Sequence, residues 1–227
     1  MKIEIIKSVD DADKAQGLTV IIDVFRAFSV EAYLFANGAE KIIPVQSLDE
    51  AHALKKENPS FILMGERKGL KVEGFDYGNS PTEILNIDFT GKTIIHTTSN
   101  GTKGLVNAVN ADIVLAGSFL IADSIIKYIK QYNIGIVSLV STSPHIVMHN
   151  EDIILATYIK ETLEGKVMST SEIKEMSKKT SAYQYLFDEI GVPSTDFDLC
   201  LDFNKFNFII KKIIKDGQLC LIKENNL

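Results

Sequence analysis

An α/β fold of three layers, with helices on both faces of a largely parallel or mixed sheet, is predicted by three observations. Short β-branched runs alternate with stretches whose apolar residues fall at helical spacing, the pattern of strand–helix–strand units. Three of those runs stop abruptly in polar loops, as in open sheets whose ligands bind past the carboxyl ends of the strands. The chain has 227 residues, 45% hydrophobic and 24% charged, and carries no low-complexity tract. That is enough to build a core without disulfides or metals as staples. No linker rich in Pro, Gly or Ser interrupts it, so residues 1–227 are expected to form one α/β catalytic domain.

The elements follow in order. Val20 to Ile22 is a β-branched run ending at Asp23, and Phe28 to Ala36 has helical spacing before the stop signal Asn37-Gly38. Lys41 to Val45 predicts a buried strand, Leu48 to Glu57 a helix, and Phe61 to Met64 a strand that runs into Gly65. Thr93 to Ile95 opens onto a polar loop at residues 96–102, followed by a helix through Val109 and a strand over Ile113 to Ala116. Ile134 to Val140 is the third strand to empty into a polar loop, and a helix is predicted from Glu151 to Leu163. Residues 166–190 read as polar and helical, Phe197 to Ile214 as an amphipathic helix or helix pair, and Gln218 to Ile222 as a closing strand.

The first two units look alike. Laying Gly17-Leu18-Thr19 on Gly91-Lys92-Thr93 sets Asp23 against Thr97 and Arg26 against Asn100, and a small shift then aligns residues 39–43 with 111–115. This is read as a weak internal βαβ repeat, with similar halves near 1–90 and 91–227 sharing one cleft. The shared geometry of any two βαβ units remains the competing explanation.

The net charge of −6 offers no basic field for a phosphodiester backbone, which excludes extended nucleic-acid binding as a first expectation. A small ligand is favoured, and a homodimer is compatible with everything in the sequence. Cys200 and Cys220 have no metal-binding spacing and read as reduced, buried thiols. The N-terminus is charged throughout rather than apolar, and the longest apolar stretches are far shorter than a bilayer span. The expectation is a cytoplasmic protein with no membrane association.

Four stretches carry chemistry. Asp23 and Arg26 bracket the turn from a strand into a helix, where a carboxylate can hold a metal and an arginine can fork onto an oxyanion. An ion pair with a helix cap is the alternative. The segment from Gly65 to Pro81, GERKGLKVEGFDYGNSP, concentrates Glu66, Arg67, Lys68, Asp76, Asn79 and Ser80 among four glycines. That points to an active-site loop ending in a helix cap, against a mobile hairpin of solvated charges. Thr98, Ser99, Asn100, Gly101 and Thr102 offer more hydroxyl and amide groups than one cap needs, which suits substrate oxyanions. His96, within a strand, reads as a packed core imidazole. Glu151 and Asp152 open a helix, as capping carboxylates do, but facing a cleft they could also hold Mg²⁺, with Asp152 the stronger candidate. His145 and His149 lie outside any metal-binding frame and are assigned no metal.

Taken together, IDVFRAFS at 22–29, the 65–81 segment, TTSNGT at 97–102 and the pair Glu151-Asp152 resemble the 2-phosphosulfolactate phosphatase family. The resemblance covers roughly residues 17–160. It implies a Mg²⁺-dependent phosphoric monoester hydrolase that converts 2-phosphosulfolactate to sulfolactate and phosphate in the route to coenzyme M. On that footing Asp23, Glu66 and Asp152 are the candidate metal ligands. Arg26, Arg67, Asn79, Ser80 and residues 98–102 are candidates for holding the small anionic phosphorylated substrate. Asp76 is the candidate base for water, and Arg26 and Asn100 join the catalytic set. The sequence departs from the family at Phe25 and Phe28, which are bulkier than usual, and at the third loop, Leu139 to Pro144, which lacks the family's glycines. Another phosphorylated hydroxy acid therefore stays open as substrate. A non-catalytic anion-binding relative, or an isomerase or lyase of an anionic hydroxy acid, remains the alternative.

Overall fold

The computed structural model describes residues 1–143 and 150–225; His145 and His149 lie outside them. Ten strands form one sheet: Lys2–Ile6 (β1), Gly17–Ile22 (β2), Lys41–Pro44 (β3), Ile62–Arg67 (β4), Leu70–Lys71 (β5), Thr93–Thr97 (β6), Ala111–Gly117 (β7), Ile136–Ser141 (β8), Phe208–Lys215 (β9) and Gln218–Asn225 (β10). Their order is β1-β8-β2-β7-β9-β10-β3-β6-β4-β5. The neighbours among β1, β8, β2 and β7 pair in parallel, as do those among β3, β6 and β4. Between the two groups the β9–β10 hairpin pairs antiparallel to β7 on one side and to β3 on the other. The sheet is mixed, and its order reads the same from both ends when β2 is matched with β6, β3 with β7, and β4 with β8.

The β2–helix–β3 unit does not lay β3 beside β2. Its helix, Ala27–Ala36 (α1), carries the chain from one parallel group to the other. Every residue of α1 from Ala27 to Phe35 is buried, so the helix is apolar nearly all round and is enclosed by protein rather than lying on a surface. It stops at Asn37-Gly38, where Gly38 takes φ 95°, a conformation that a side chain disfavours.

The other helices are Leu48–Glu57 (α2), Pro81–Ile84 (α3), Gly101–Asn107 (α4), Ala122–Gln131 (α5), Glu151–Leu163 (α6), Thr170–Ser177 (α7), Ser181–Tyr183 (α8) and Thr195–Cys200 (α9), with a π-helix over Gln184–Ile190 continuing α8. Apolar faces of α1, α5, α6 and α9 join β2, β7, β8 and β9 in the main core, and a smaller core under α2 holds Ile43, Leu63, Phe75 and Ile95. Cys200 and Cys220 are free and buried. Among the described residues no helix is long and apolar enough to cross a membrane.

One expectation changes. The stretch from Phe197 to Ile214 is helical only as far as Cys200, and residues 208–215 form a strand. Ile209, Ile210, Ile213 and Ile214 are β-branched, and Asp216-Gly217 follows with φ 53° and 78°, the two positive values that a two-residue hairpin turn demands. The hairpin signal outweighs the helical spacing of the upstream aromatics. The charged N-terminus supplies β1, whose outward Lys2 and Glu4 befit an edge strand paired only with β8.

Candidate active site

A cavity of about 470 Å³ opens where the loops after β2, β6 and β8 meet the β4–β5 turn. Asp23 and Arg26 enter it from the β2–α1 turn, Glu66, Lys68 and Asn79 from the 65–81 segment, Thr98, Ser99 and Asn100 from the loop before α4, and Asp152 from the start of α6. The structure thus brings together residues more than a hundred positions apart, drawn from both parallel groups of the sheet.

Asp23 caps α1 by accepting a hydrogen bond from Ala27 N at 3.0 Å through Oδ1. Its Oδ2 faces Gly101, where a Cβ would lie 2.8 Å away, so the glycine is needed for close approach. Arg26 is buried and committed to protein: Nη1 donates to Asp196 Oδ2 at 2.7 Å and Nη2 to Gly69 O at 2.7 Å. Asp196, fully buried, also accepts from Ser80 Oγ at 2.8 Å and Thr82 N at 3.0 Å, tying α1, α3 and α9 together.

Glu66 bridges two loops, accepting from Gly69 N through Oε2 and from Ser99 N through Oε1, each at 2.7 Å. Asp152 is more heavily engaged. Oδ1 accepts from Val24 N at 2.9 Å, while Oδ2 accepts from Thr142 N and Thr142 Oγ1 at 3.1 Å and from Ser141 Oγ at 3.3 Å. Glu151 is buried beside it, and its Oε2 has no hydrogen-bond partner among the described residues. Asn150 caps α6 through Oδ1 on Ile153 N.

Burial together with mutual repulsion sets the electrostatics. Asp152 is pushed up to about 6, chiefly by burial and against the pull of its four hydrogen bonds. Asp23 and Glu151 are held well above the usual carboxylate range, first by burial and then by the charge of Asp152. Four carboxylates, Asp23, Glu66, Glu151 and Asp152, therefore face one cavity whose lining cations are Arg26, already paired with Asp196, and Lys68.

The remaining nominated residues lie around the cavity rather than on it. Arg67 donates to Glu66 O, Gln46 O and Thr97 Oγ1, and so braces the strand end. Ser80 spends its hydroxyl on Asp196 and caps α3. Thr102 bonds back to Thr98 through both its N–H and its hydroxyl. Asp76 does not reach the cavity. Its Oδ2 accepts from Leu63 N at 2.8 Å and pairs with Lys55, pinning the 65–81 segment to β4.

One wall escaped sequence reading. Ser181, Ala182, Tyr185 and Leu186 close the cavity from the α8 region. Phe25 anchors that wall, its ring packing at 5.6 Å on Phe187 and 5.8 Å on Phe197, while Tyr185 donates to Lys68 O. Only the bulk of Phe25 hinted at this. Thr142 and Ser143, in the glycine-poor third loop, also line the cavity.

A family model described as 2-phosphosulpholactate phosphatase matches residues 4–213. The chain belongs to that family. A protein of Bacillus subtilis named as a probable 2-phosphosulfolactate phosphatase is 32% identical over 211 residues, covering 91% of each chain. One of the same name from Caldanaerobacter subterraneus is 33% identical over 94% of each, and one from Clostridium perfringens is 37% identical over 82% of this chain and 76% of its own. This phosphatase is thus a member of a family of phosphoric monoester hydrolases, a class consistent with a divalent-cation requirement.

The residues fit a divalent cation in one specific way. Among the described residues no three His, Cys, Asp or Glu side chains are gathered into a metal cage, so Asp23, Glu66 and Asp152 do not form one. The donors on the cavity are all oxygens, and the buried Glu151 Oε2 is an orphan that a cation would satisfy. Mg²⁺ characteristically takes one or two carboxylates and completes its shell with water and substrate phosphate.

Proposed function

We propose that this enzyme is a Mg²⁺-dependent phosphatase that hydrolyses 2-phosphosulfolactate to sulfolactate and phosphate. The observation that carries the reading is the set of four carboxylates, three of them with raised proton affinity, buried on one cavity without enough cations to balance them. Such a wall repels a phosphate, carboxylate and sulfonate together unless a bound cation intervenes.

Glu151 Oε2 is a buried carboxylate oxygen with no hydrogen-bond partner among the described residues, and Asp23 Oδ2 stands across the cavity wall beside Gly101; we assign the cation to these two carboxylates. When bound, Mg²⁺ supplies charge neutralisation at the phosphoryl oxygens. Glu66 and Asp152 hold the geometry instead. Glu66 fixes the 98–100 loop against the β4–β5 turn, and Asp152 fixes Thr142 beside the start of α1. Lys68, which has no ion-pair partner among the described residues, sits on the cavity lining and attracts the second anionic group of the substrate. Thr98, Ser99, Asn100 and Asn79 present neutral donors to the remaining oxygens. The apolar wall of Phe25, Ala182 and Leu186 limits water on the other side. The free thiols Cys200 and Cys220 fit a reducing compartment, and we assign the enzyme to the cytoplasm.

The test is phosphate release from a panel containing 2-phosphosulfolactate and phospholactate, with Mg²⁺ and with chelator. Turnover that is fastest on 2-phosphosulfolactate and abolished by chelator is expected. Absence of metal-dependent turnover on every member overturns the reading, and a preference for phospholactate moves the substrate while keeping the chemistry.

A further inference from the structure

His96 is fully buried in β6, and so is its partner Glu31 in α1, with Nδ1 and Oε1 3.0 Å apart. The other ring nitrogen, Nε2, lies 3.2 Å from Oδ1 of Asn79, a cavity-lining side chain. Two ionisable groups sealed from water are expensive to keep where an apolar pair would fill the same space. The amide of Asn79 links them to the cavity.

We propose that His96, backed by Glu31, is a positioning residue that holds the Asn79 side chain with its amide N–H₂ group toward the cavity, where it donates to an anionic oxygen of the substrate. The proposal rests on the phosphatase reading of the cavity.

The argument is an accounting of protons. A carboxamide oxygen only accepts, so Oδ1 against Nε2 requires a proton on Nε2. The Nδ1–Glu31 contact then closes with one further proton, carried either by Nδ1 or by Glu31. Burial holds the Glu31 carboxyl above its usual range, and its second oxygen has no partner among the described residues, which an ionised carboxylate tolerates least. In either arrangement the contact of Nε2 with Oδ1 leaves Nε2–H donating to Asn79. The two ends of a carboxamide have nearly the same shape, so packing alone does not decide which end faces the ligand. The N–H of His96 decides it. Turned over, Asn79 would aim its oxygen at an anion and repel it. As held, Nδ2 meets no protein acceptor among the described residues, and its hydrogens are left for a ligand.

Glutamine at position 96 keeps a donor near the place of Nε2, whereas asparagine reaches only the place of Nδ1. His96→Asn and Asn79→Ala should each raise KM for the phosphorylated substrate roughly tenfold or more, with a smaller change in kcat, since Asn79→Ala removes a hydrogen bond to a charged group and His96→Asn removes the donor that orients it. The double variant should be no worse than Asn79→Ala alone, and His96→Gln should recover most of the loss. Equal KM for His96→Asn and the wild type, or additive losses in the double variant, overturns the proposal. Should the wild type turn over no phosphomonoester, the phosphatase reading falls by itself. Calorimetric binding of inorganic phosphate then decides this one: weakening by His96→Asn but not by His96→Gln supports it, and equal affinity in all three proteins rejects it.

Discussion

Two groups of buried charge lie on the same cavity, and they are built in opposite ways. Arg26 and Asp196 compensate each other at 2.7 Å, and Asp196 satisfies its other oxygen with Ser80 and Thr82. The cluster of Asp23, Glu151 and Asp152 is like-charged, desolvated and raised in proton affinity, with Glu151 Oε2 left unpartnered among the described residues. A fold that needed only stability would build the first kind and avoid the second. Uncompensated buried charge persists where a ligand completes it.

The contrast can be broken most sharply by neutralising one member of each group. Glu151→Gln should lower turnover by about a hundredfold or more while leaving Tm equal or higher, because it relieves like-charge repulsion. Asp196→Asn should do the reverse in thermal unfolding, costing roughly 3–5 kcal/mol by stranding a buried guanidinium. If both variants lost only stability, the distinction would not stand.

A pH experiment sharpens the same point. A carboxyl whose folded pKa lies above its unfolded value binds more protons in the native state, so its favourable contribution is complete below the unfolded value and is lost as pH rises through the folded one. With Asp152 moving from near 3.8 to about 6, the metal-free protein should lose stability as pH rises between roughly 4 and 7. Added Mg²⁺ should restore it most at the upper end, since deprotonated ligands bind best. Thermal melts across that range, with and without Mg²⁺, would read both slopes, and a Tm that rises with pH in chelator would contradict the raised affinities.

The smallest effect is expected at Asp76. Asp76→Asn weakens the Leu63 N and Lys55 contacts, worth about 1 kcal/mol, and should leave kcat within about threefold. A loss of turnover as large as that of Glu151→Gln would make Asp76 a catalytic group after all.

These cases show where the sequence was legible. Leu48–Glu57 and Glu151–Leu163 could be read to the residue because cap, apolar spacing and stop signals agree locally. The polar loops at 23–26, 65–81 and 97–102 announced themselves because such side chains have no place in a core. Asp76 and Arg67 sit in the richest motif yet brace the backbone, since sequence cannot tell a side chain that faces a ligand from one that bonds its own chain. Asp196, His96 and the 181–186 wall gave little or no signal, because their meaning lies in contacts made far along the chain.

By itself, then, the sequence determined the α/β class and the three polar strand ends, which depend on short-range periodicity and local composition, and its motifs carried the resemblance to the family. Only the tertiary structure decided that β3 joins β6 rather than β2, that residues 208–215 form a strand, and which carboxylate oxygens remain uncommitted. Those outcomes depend on long-range pairing and on the sharing of hydrogen-bond donors, and no local stretch of the chain encodes either one alone.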